Sequence, residues 1–122
     1  MAREIETKCI HLEEAEGALN HFGAMAYPIY QSATYAHPGV GQSTGYDYSR
    51  LQNPTREHLE KTVASLENGI DALAFSSGMA AITLMMELFK PGDHLIVDAD
   101  LYGGSIRLFN HVSEKTESNF PV

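Results

Sequence analysis

The second half of the sequence alternates between helical and apolar extended patterns, and this alternation limits the folds that it can adopt. In chain order the patterns cover residues 53–68 (helical), 72–75 (apolar), 79–89 (helical), 94–98 (apolar) and 105–115 (helical). This order predicts an α/β fold in which parallel strands are joined by right-handed helical crossovers. Two strands do not complete a parallel sheet, so we expect the neighbouring strands to come from sequence after residue 122 or from another chain.

Capping residues mark the helix boundaries. Asn53 and Pro54 form a start signal, because asparagine caps free amides and proline has no amide to satisfy at the first helical position. Asn68 and Gly69 supply a stop signal. The helix after Gly78 is apolar around nearly its whole circumference, so we expect it to be buried on every side. It could be the core helix of a small domain, but burial inside a larger assembly is favoured because little of this chain could surround it.

The first 52 residues have a different character. Five glycines and two prolines punctuate residues 17–45 too densely for long elements, and residues 27–35 have an extended, aromatic-rich pattern. We therefore expect residues 1–52 to form an extended N-terminal arm that lies on another surface. Residues 53–122 are expected to form the first, incomplete part of an α/β domain.

Charge and composition exclude several classes of function. The net charge of −8 disfavours binding to nucleic acid and to anionic membranes. The N-terminus has no signal-peptide pattern, and no apolar run has the length of a membrane span. The single cysteine, Cys9, fits a reducing cytoplasm, and the six histidines show no close pair with metal-ligand spacing. We expect a cytoplasmic protein without a metal site.

The strongest local feature is the predicted strand-to-helix junction that contains Gly78 and Met79. Free amides and the positive end of the helix dipole meet there, and Gly78 lets an anion approach the backbone. A phosphate could bind at this point. Serine and glycine at such turns are more often simple helix caps, so this feature alone does not decide between the two interpretations.

Two further positions could contact a phosphorylated ligand. Arg50 offers a planar fork of donors, and Tyr48 can point to the same side in an extended segment. Tyr102 follows the second predicted strand, at the sheet edge where ligands of α/β folds bind, and could stack on a planar ring. Taken alone, Arg50 is better explained by a surface ion pair, and Tyr102 by packing on its own domain.

Four blocks of sequence, together with residues 28–35, carry a family resemblance. The blocks are YDYSRLQNPT at residues 46–55, SSGMAA at 76–81, KPGDH at 90–94 and LYGGS at 101–105. In this order and spacing they resemble the cystathionine γ-synthase-like, pyridoxal-phosphate (PLP) dependent enzymes of transsulfuration. The resemblance implies the start of the large PLP-binding domain of the fold-type I aminotransferase-like architecture, preceded by an N-terminal arm that contacts a neighbouring subunit.

The resemblance also implies roles for individual residues. The backbone of Gly78 and Met79 would bind the phosphate of pyridoxal 5'-phosphate. Tyr48 and Arg50 would reach the phosphate of a neighbouring subunit, and Tyr102 would stack on the pyridine ring and assist proton transfer as a catalytic residue. Family members are typically homotetramers built from two active dimers.

The implied reaction belongs to cysteine metabolism and methionine biosynthesis and acts on a small amino-acid substrate. We expect γ-replacement on an activated homoserine, by a transferase of the cystathionine γ-synthase or O-acetylhomoserine sulfhydrylase type. A cystathionine β- or γ-lyase or a methionine γ-lyase is the alternative; Gly104 lowers the last option, because methionine γ-lyases carry a cysteine there. An interpretation of a different class is a non-catalytic phosphate-binding module.

The family's Schiff-base lysine has no counterpart in this sequence. The four lysines, Lys8, Lys61, Lys90 and Lys115, stand in other sequence contexts. The resemblance therefore implies that the 122-residue chain alone is inactive and that the tethering lysine belongs to a longer protein.

Overall fold

The computed structural model describes residues 4–11, 24 and 26–116, and within them it holds four helices. They are α1 (Ile5–Lys8), α2 (Pro54–Leu66), α3 (Gly78–Met86) and α4 (Gly103–Thr116). The chain divides into two compact units, the first ending at Ala74 and the second beginning at Phe75. The first unit contains α1 packed against α2, and the second contains α3 packed against α4. The predicted boundary between the arm and the α/β domain, after residue 52, stays a prediction.

The start of α2 is fixed by Asn53. Its side-chain oxygen accepts hydrogen bonds from the amides of Thr55 (2.9 Å) and Arg56 (3.4 Å), and Pro54 occupies the first helical position. The side-chain nitrogen of Asn53 donates in the other direction, to the carbonyl of Tyr30 (3.1 Å) and the hydroxyl of Ser49 (3.0 Å). One side chain therefore caps the helix and attaches the preceding segment to it.

Part of the predicted arm lies along α2 of the same unit. The hydroxyl of Thr55 accepts from the amide of Tyr30 (2.8 Å) and donates to the carbonyl of Pro28 (3.2 Å). The ring of Tyr27 stacks on His58, with centroids 3.9 Å apart and an interplanar angle of 7°. The surface on which residues 27–30 lie is thus provided by this chain, and residues 12–23 of the arm lie outside the described residues.

The helix ends follow local hydrogen bonding. After α2, Asn68 adopts a left-handed conformation (φ 54°) and the amide of Gly69 donates to the carbonyl of Ala64 at 2.8 Å, as the stop signal predicts. The end of α3 was predicted too late. Its last turn tightens, so that Phe89 donates to the carbonyl of Met86 rather than to one four residues back, and the α-helix ends at Met86.

The two apolar runs predicted as strands occur between the expected helices, but they are not paired in a sheet. Among the described residues the sole β-pairing is an isolated antiparallel bridge between Thr34 and Tyr48. The amides of Ala72 and Ala74 donate to the carboxylates of Asp71 and Glu60 instead of a neighbouring strand. A strand forms only beside a hydrogen-bonding partner, and the described residues do not supply one.

The expected burial of α3 on every side is not observed. Met86 is its sole buried residue, while Leu84 and Met85 are about half exposed (43% and 56%). In the described part of the chain the buried apolar side chains are few, with Ala64 and Met86 as the buried hydrophobic residues. Helix α4 packs on α3 but cannot cover a helix that is apolar all round, so most of this apolar surface remains open.

The described helices are short, and the longest, α4, has 14 residues. Within residues 4–11, 24 and 26–116, none combines the length and apolar character needed to cross a bilayer.

We predict that Asn53→Ala destabilises the protein by about 1–2 kcal/mol, because it removes the cap of α2 and the link to residue 30 together. Asn53→Asp is the matched control, since its carboxylate still caps the helix but cannot donate to Tyr30 or Ser49. Urea unfolding of both variants separates the two effects. Equal stability of Asn53→Ala and the parent protein would contradict the role of this residue.

Candidate functional site

The first turn of α3 presents two backbone amides without partners. The hydroxyl of Ser77 caps the helix by accepting from the amide of Ala80 (3.1 Å), which leaves the earlier positions uncapped. The amides of Gly78 and Met79 donate no hydrogen bond within the part of the chain that the structure describes. A Cβ atom at Gly78 would meet no other atom within 4 Å, so the space beside these amides is open. This arrangement suits an anion.

Tyr102 stands immediately before α4. Its carbonyl accepts from the amides of Ser105 (2.8 Å) and Ile106 (3.3 Å), which fixes its backbone at the helix start. Tyr102 is 71% exposed, and its ring lies against Gly104. A Cβ atom at Gly104 would lie only 2.5 Å from Cε1 of Tyr102. The missing side chain of Gly104 therefore makes room for the ring in its observed position.

Met79 connects the start of α3 with the start of α4. Its sulfur lies 3.9 Å from the hydroxyl oxygen of Ser105 and would lie 3.1 Å from a Cβ atom at Gly104. Ser105 is buried, with 5% of its surface exposed. In the second unit the Met79 side chain and the Tyr102 ring thus both lie beside Gly104. No sequence pattern indicated a role for Ser105, because its burial depends on how α3 and α4 pack.

Tyr48 and Arg50 lie together in the first unit. Tyr48 forms the bridge with Thr34, and the next amide, that of Ser49, donates to the carbonyl of Ala33 (2.9 Å). The guanidinium carbon of Arg50 lies 5.0 Å from the centroid of the Tyr48 ring, a cation–π contact. Arg50 is exposed and forms no ion pair with any described residue. The surface ion pair considered for Arg50 is therefore absent from this part of the chain.

A polar chain of three side chains supports the segment that leads to Tyr48. Tyr46 donates its hydroxyl hydrogen to the carboxylate of Glu57 on α2, and Lys61 lies 2.9 Å from the same carboxylate. Burial and the hydrogen bond to Glu57 raise the pKa of Tyr46. The Tyr46 hydroxyl and the Lys61 ammonium hold the pKa of Glu57 below its ordinary value. At neutral pH Glu57 is therefore ionised and Tyr46 stays protonated as its donor.

The five predicted site residues fall into two groups. Tyr48 and Arg50 lie in the first unit, and Gly78, Met79 and Tyr102 lie in the second. Their roles toward a ligand stay predictions. No cluster of three or more His, Cys, Asp or Glu side chains that could hold a metal ion occurs in the described ranges.

Comparison with known proteins gives one family. The family model for Cys/Met metabolism PLP-dependent enzymes matches residues 6–121. A cystathionine γ-synthase/O-acetylhomoserine (thiol)-lyase of Bacillus subtilis is 50% identical over 115 residues, which cover 94% of this chain and 30% of that protein. A cystathionine γ-lyase of the same organism is 52% identical over 100 residues, covering 80% of this chain and 26% of that protein.

A solved structure agrees with these matches. The cystathionine γ-lyase of Lactobacillus plantarum, complexed with L-serine, superposes with a TM-score of 0.81 at 41% identity. The match covers 98% of this chain and 31% of that one. The chain thus spans about 30% of the length of the curated relative that it matches over 115 residues. Such structures have the fold-type I architecture, of which this chain corresponds to a part.

We predict that Gly104→Ala displaces the Tyr102 ring by at least about 1 Å, because carbon atoms in contact stay about 3.5–4.0 Å apart. Folding stability should change by less than about 1 kcal/mol, since the ring is exposed and alanine favours the helix. Gly103→Ala is the matched control, because a Cβ atom there meets nothing within 4 Å. Crystal structures and unfolding curves of both variants check this; an unmoved ring in Gly104→Ala would contradict it.

Proposed function

This chain belongs to the Cys/Met metabolism PLP-dependent enzyme family, and from this membership we propose that the whole protein catalyses γ-replacement on an activated homoserine. The family's cofactor is pyridoxal 5'-phosphate. The observation that carries the proposal is the first turn of α3, where two amides have no partner among the described residues and the space at Gly78 is open. The proposal includes a small amino-acid substrate, a cytoplasmic location and an assembly of two active dimers.

The start of α3 fits the phosphate group of this cofactor. The amides of Gly78 and Met79 would donate to two phosphate oxygens, and the helix dipole favours the negative charge. Ser77 already satisfies the amide of Ala80, so its cap does not compete with these two donors. Gly78 leaves the approach free of a side chain.

Tyr48 and Arg50 would supply the remaining charge to the phosphate bound by a neighbouring copy. The exposed guanidinium of Arg50 has donors to spare, since it makes no ion pair with the described residues. Its contact with the Tyr48 ring limits its orientations. Arginine presents two parallel donors to a phosphate, which a single lysine ammonium does not.

Tyr102 is the proposed catalytic residue of this chain. Its exposed ring can stack on the flat face of the cofactor, and its phenolic oxygen can hold or pass a proton near the substrate. When bound, pyridoxal phosphate supplies an electron sink for the carbanion of the amino-acid substrate. Gly104 keeps the ring of Tyr102 in place by leaving room for it.

A lyase is the second candidate, because the cystathionine γ-lyase of B. subtilis is as similar to this chain as the synthase. The two reactions are separable by their products. In γ-replacement an acylated homoserine and cysteine give cystathionine and the free carboxylic acid. A lyase instead consumes cystathionine and releases ammonia, a 2-oxo acid and a thiol-containing product.

The test of the reaction type uses the whole protein loaded with pyridoxal phosphate. With O-acetyl- or O-succinylhomoserine we expect cystathionine to form in the presence of cysteine, or homocysteine in the presence of sulfide, measured by mass spectrometry. Ammonia release from cystathionine alone, without the replacement reaction, would favour the lyase. Neither product from a correctly folded, cofactor-loaded protein would overturn both.

We predict that Arg50→Ala in the whole protein weakens pyridoxal phosphate binding roughly ten- to hundredfold, the effect of losing a charged hydrogen bond to the phosphate. Lys90→Ala is the control, since it removes the same charge from an exposed loop position. Equilibrium dialysis of both variants measures the cofactor that each retains. Unchanged retention in Arg50→Ala would count against the phosphate role of this residue.

A further inference from the structure

The guanidinium of Arg56 hydrogen-bonds to the backbone on both sides of Arg50. One terminal nitrogen of its guanidinium donates to the carbonyl of Ser49 (3.0 Å), and the other donates to the carbonyl of Leu51 (2.5 Å). Each carbonyl belongs to a residue adjacent to Arg50 in sequence. A planar guanidinium can hold two acceptors at once in a fixed geometry.

Two contacts on α2 fix the position of Arg56. Its Nε atom lies 3.7 Å from the carboxylate of Glu60, one helical turn later, and its backbone amide donates to Asn53. The Glu60 carboxylate also accepts from the amide of Ala74 (2.8 Å), which fixes its position. About a third of the Arg56 side chain is exposed, and 17% of that of Glu60. The guanidinium is therefore anchored on a rigid helix and partly shielded from water.

The turn that carries Tyr48 and Arg50 has few other supports on its C-terminal side. The amides of Leu51 and Gln52 both donate to the carbonyl of Tyr48, at 2.9 and 3.0 Å. These bonds close the turn but do not attach it to the helix. Asn53 attaches the turn through the Ser49 hydroxyl, on the N-terminal side of Arg50. Arg56 attaches the backbone carbonyls on both sides of Arg50, so the direction of the exposed Arg50 side chain depends on it.

We propose that Arg56 is a positioning residue for the phosphate-binding pair Tyr48 and Arg50. It holds their turn on α2 and acts on the cofactor phosphate only through Arg50. This inference rests on the proposed function, in which Arg50 binds the phosphate of a neighbouring copy.

Arg56→Lys in the whole protein tests the inference. The lysine keeps the positive charge near Glu60 but cannot hold two carbonyls in one plane. After removal and re-addition of the cofactor, we expect the dissociation constant of pyridoxal phosphate to rise roughly three- to tenfold. Binding of pyridoxal, which lacks the phosphate, should change less than twofold. A merely structural defect would weaken both probes alike.

The double variant Arg50→Ala, Arg56→Lys gives the decisive comparison. If Arg56 acts through Arg50, the second substitution adds nothing to the loss caused by Arg50→Ala. The same three- to tenfold loss in the Arg50→Ala background would overturn the inference and leave the proposed function intact. So would an unchanged constant in Arg56→Lys alone. An unchanged constant in Arg50→Ala would instead overturn the phosphate role of Arg50 and the inference that rests on it.

Two further variants complete the design. Lys90→Gln is the control, because Lys90 is an exposed cation in a loop outside α2 and the proposed site; we expect no change in cofactor binding. If Arg56→Lys fails to fold, Glu60→Gln tests the inference in its place. It keeps an acceptor for Ala74 but loses the charge that orients Arg56, so a smaller loss for pyridoxal phosphate alone is expected. An equal loss for both probes would overturn the inference.

Discussion

The first backbone amides of a helix have no hydrogen-bond partner within the helix. The candidate site depends on what these amides bind at the start of each helix. At α2 the amides have partners nearby. Pro54 has no amide hydrogen, and the side-chain oxygen of Asn53 accepts from the amides of Thr55 and Arg56. At α3 the cap reaches only Ala80, and the amides of Gly78 and Met79 remain open. The start of α2 therefore has no donor left for a ligand, whereas the start of α3 leaves two donors open.

The sequence predicted the helix starts better than the other features of the fold, because caps are local. Asn53 and Ser77 act within three residues of their own positions, so their signals can be read without knowing the tertiary structure. The early end of α3 at Met86 depends on a tightened last turn, which apolar spacing does not reveal. The apolar runs at residues 72–75 and 94–98 show what a local pattern alone does not predict. Their pattern is correct for strands, but a strand also needs a neighbour.

In the candidate site, too, the local motifs could be predicted from the sequence and the tertiary contacts could not. The single motifs around Arg50, Gly78 and Tyr102 each had a commoner structural explanation, and only their joint order pointed to the family that the comparisons show. The residues that support them were not predictable from spacing. Arg56 acts on carbonyls five and seven residues earlier, and Ser105 meets Met79 across 26 residues. Such contacts exist only once the chain has folded.

Synthases and lyases resemble this chain to nearly the same degree, and the chemistry of its residues explains why. In the proposed site Gly78, Met79 and Arg50 hold a phosphate, and Tyr102 supports a ring and a proton. Both replacement and elimination need these tasks, because each begins by stabilising the same kind of carbanion. The choice between the reactions depends on contacts with the departing group and the incoming thiol. Residues serving the shared steps can therefore stay alike while the enzymes differ in reaction.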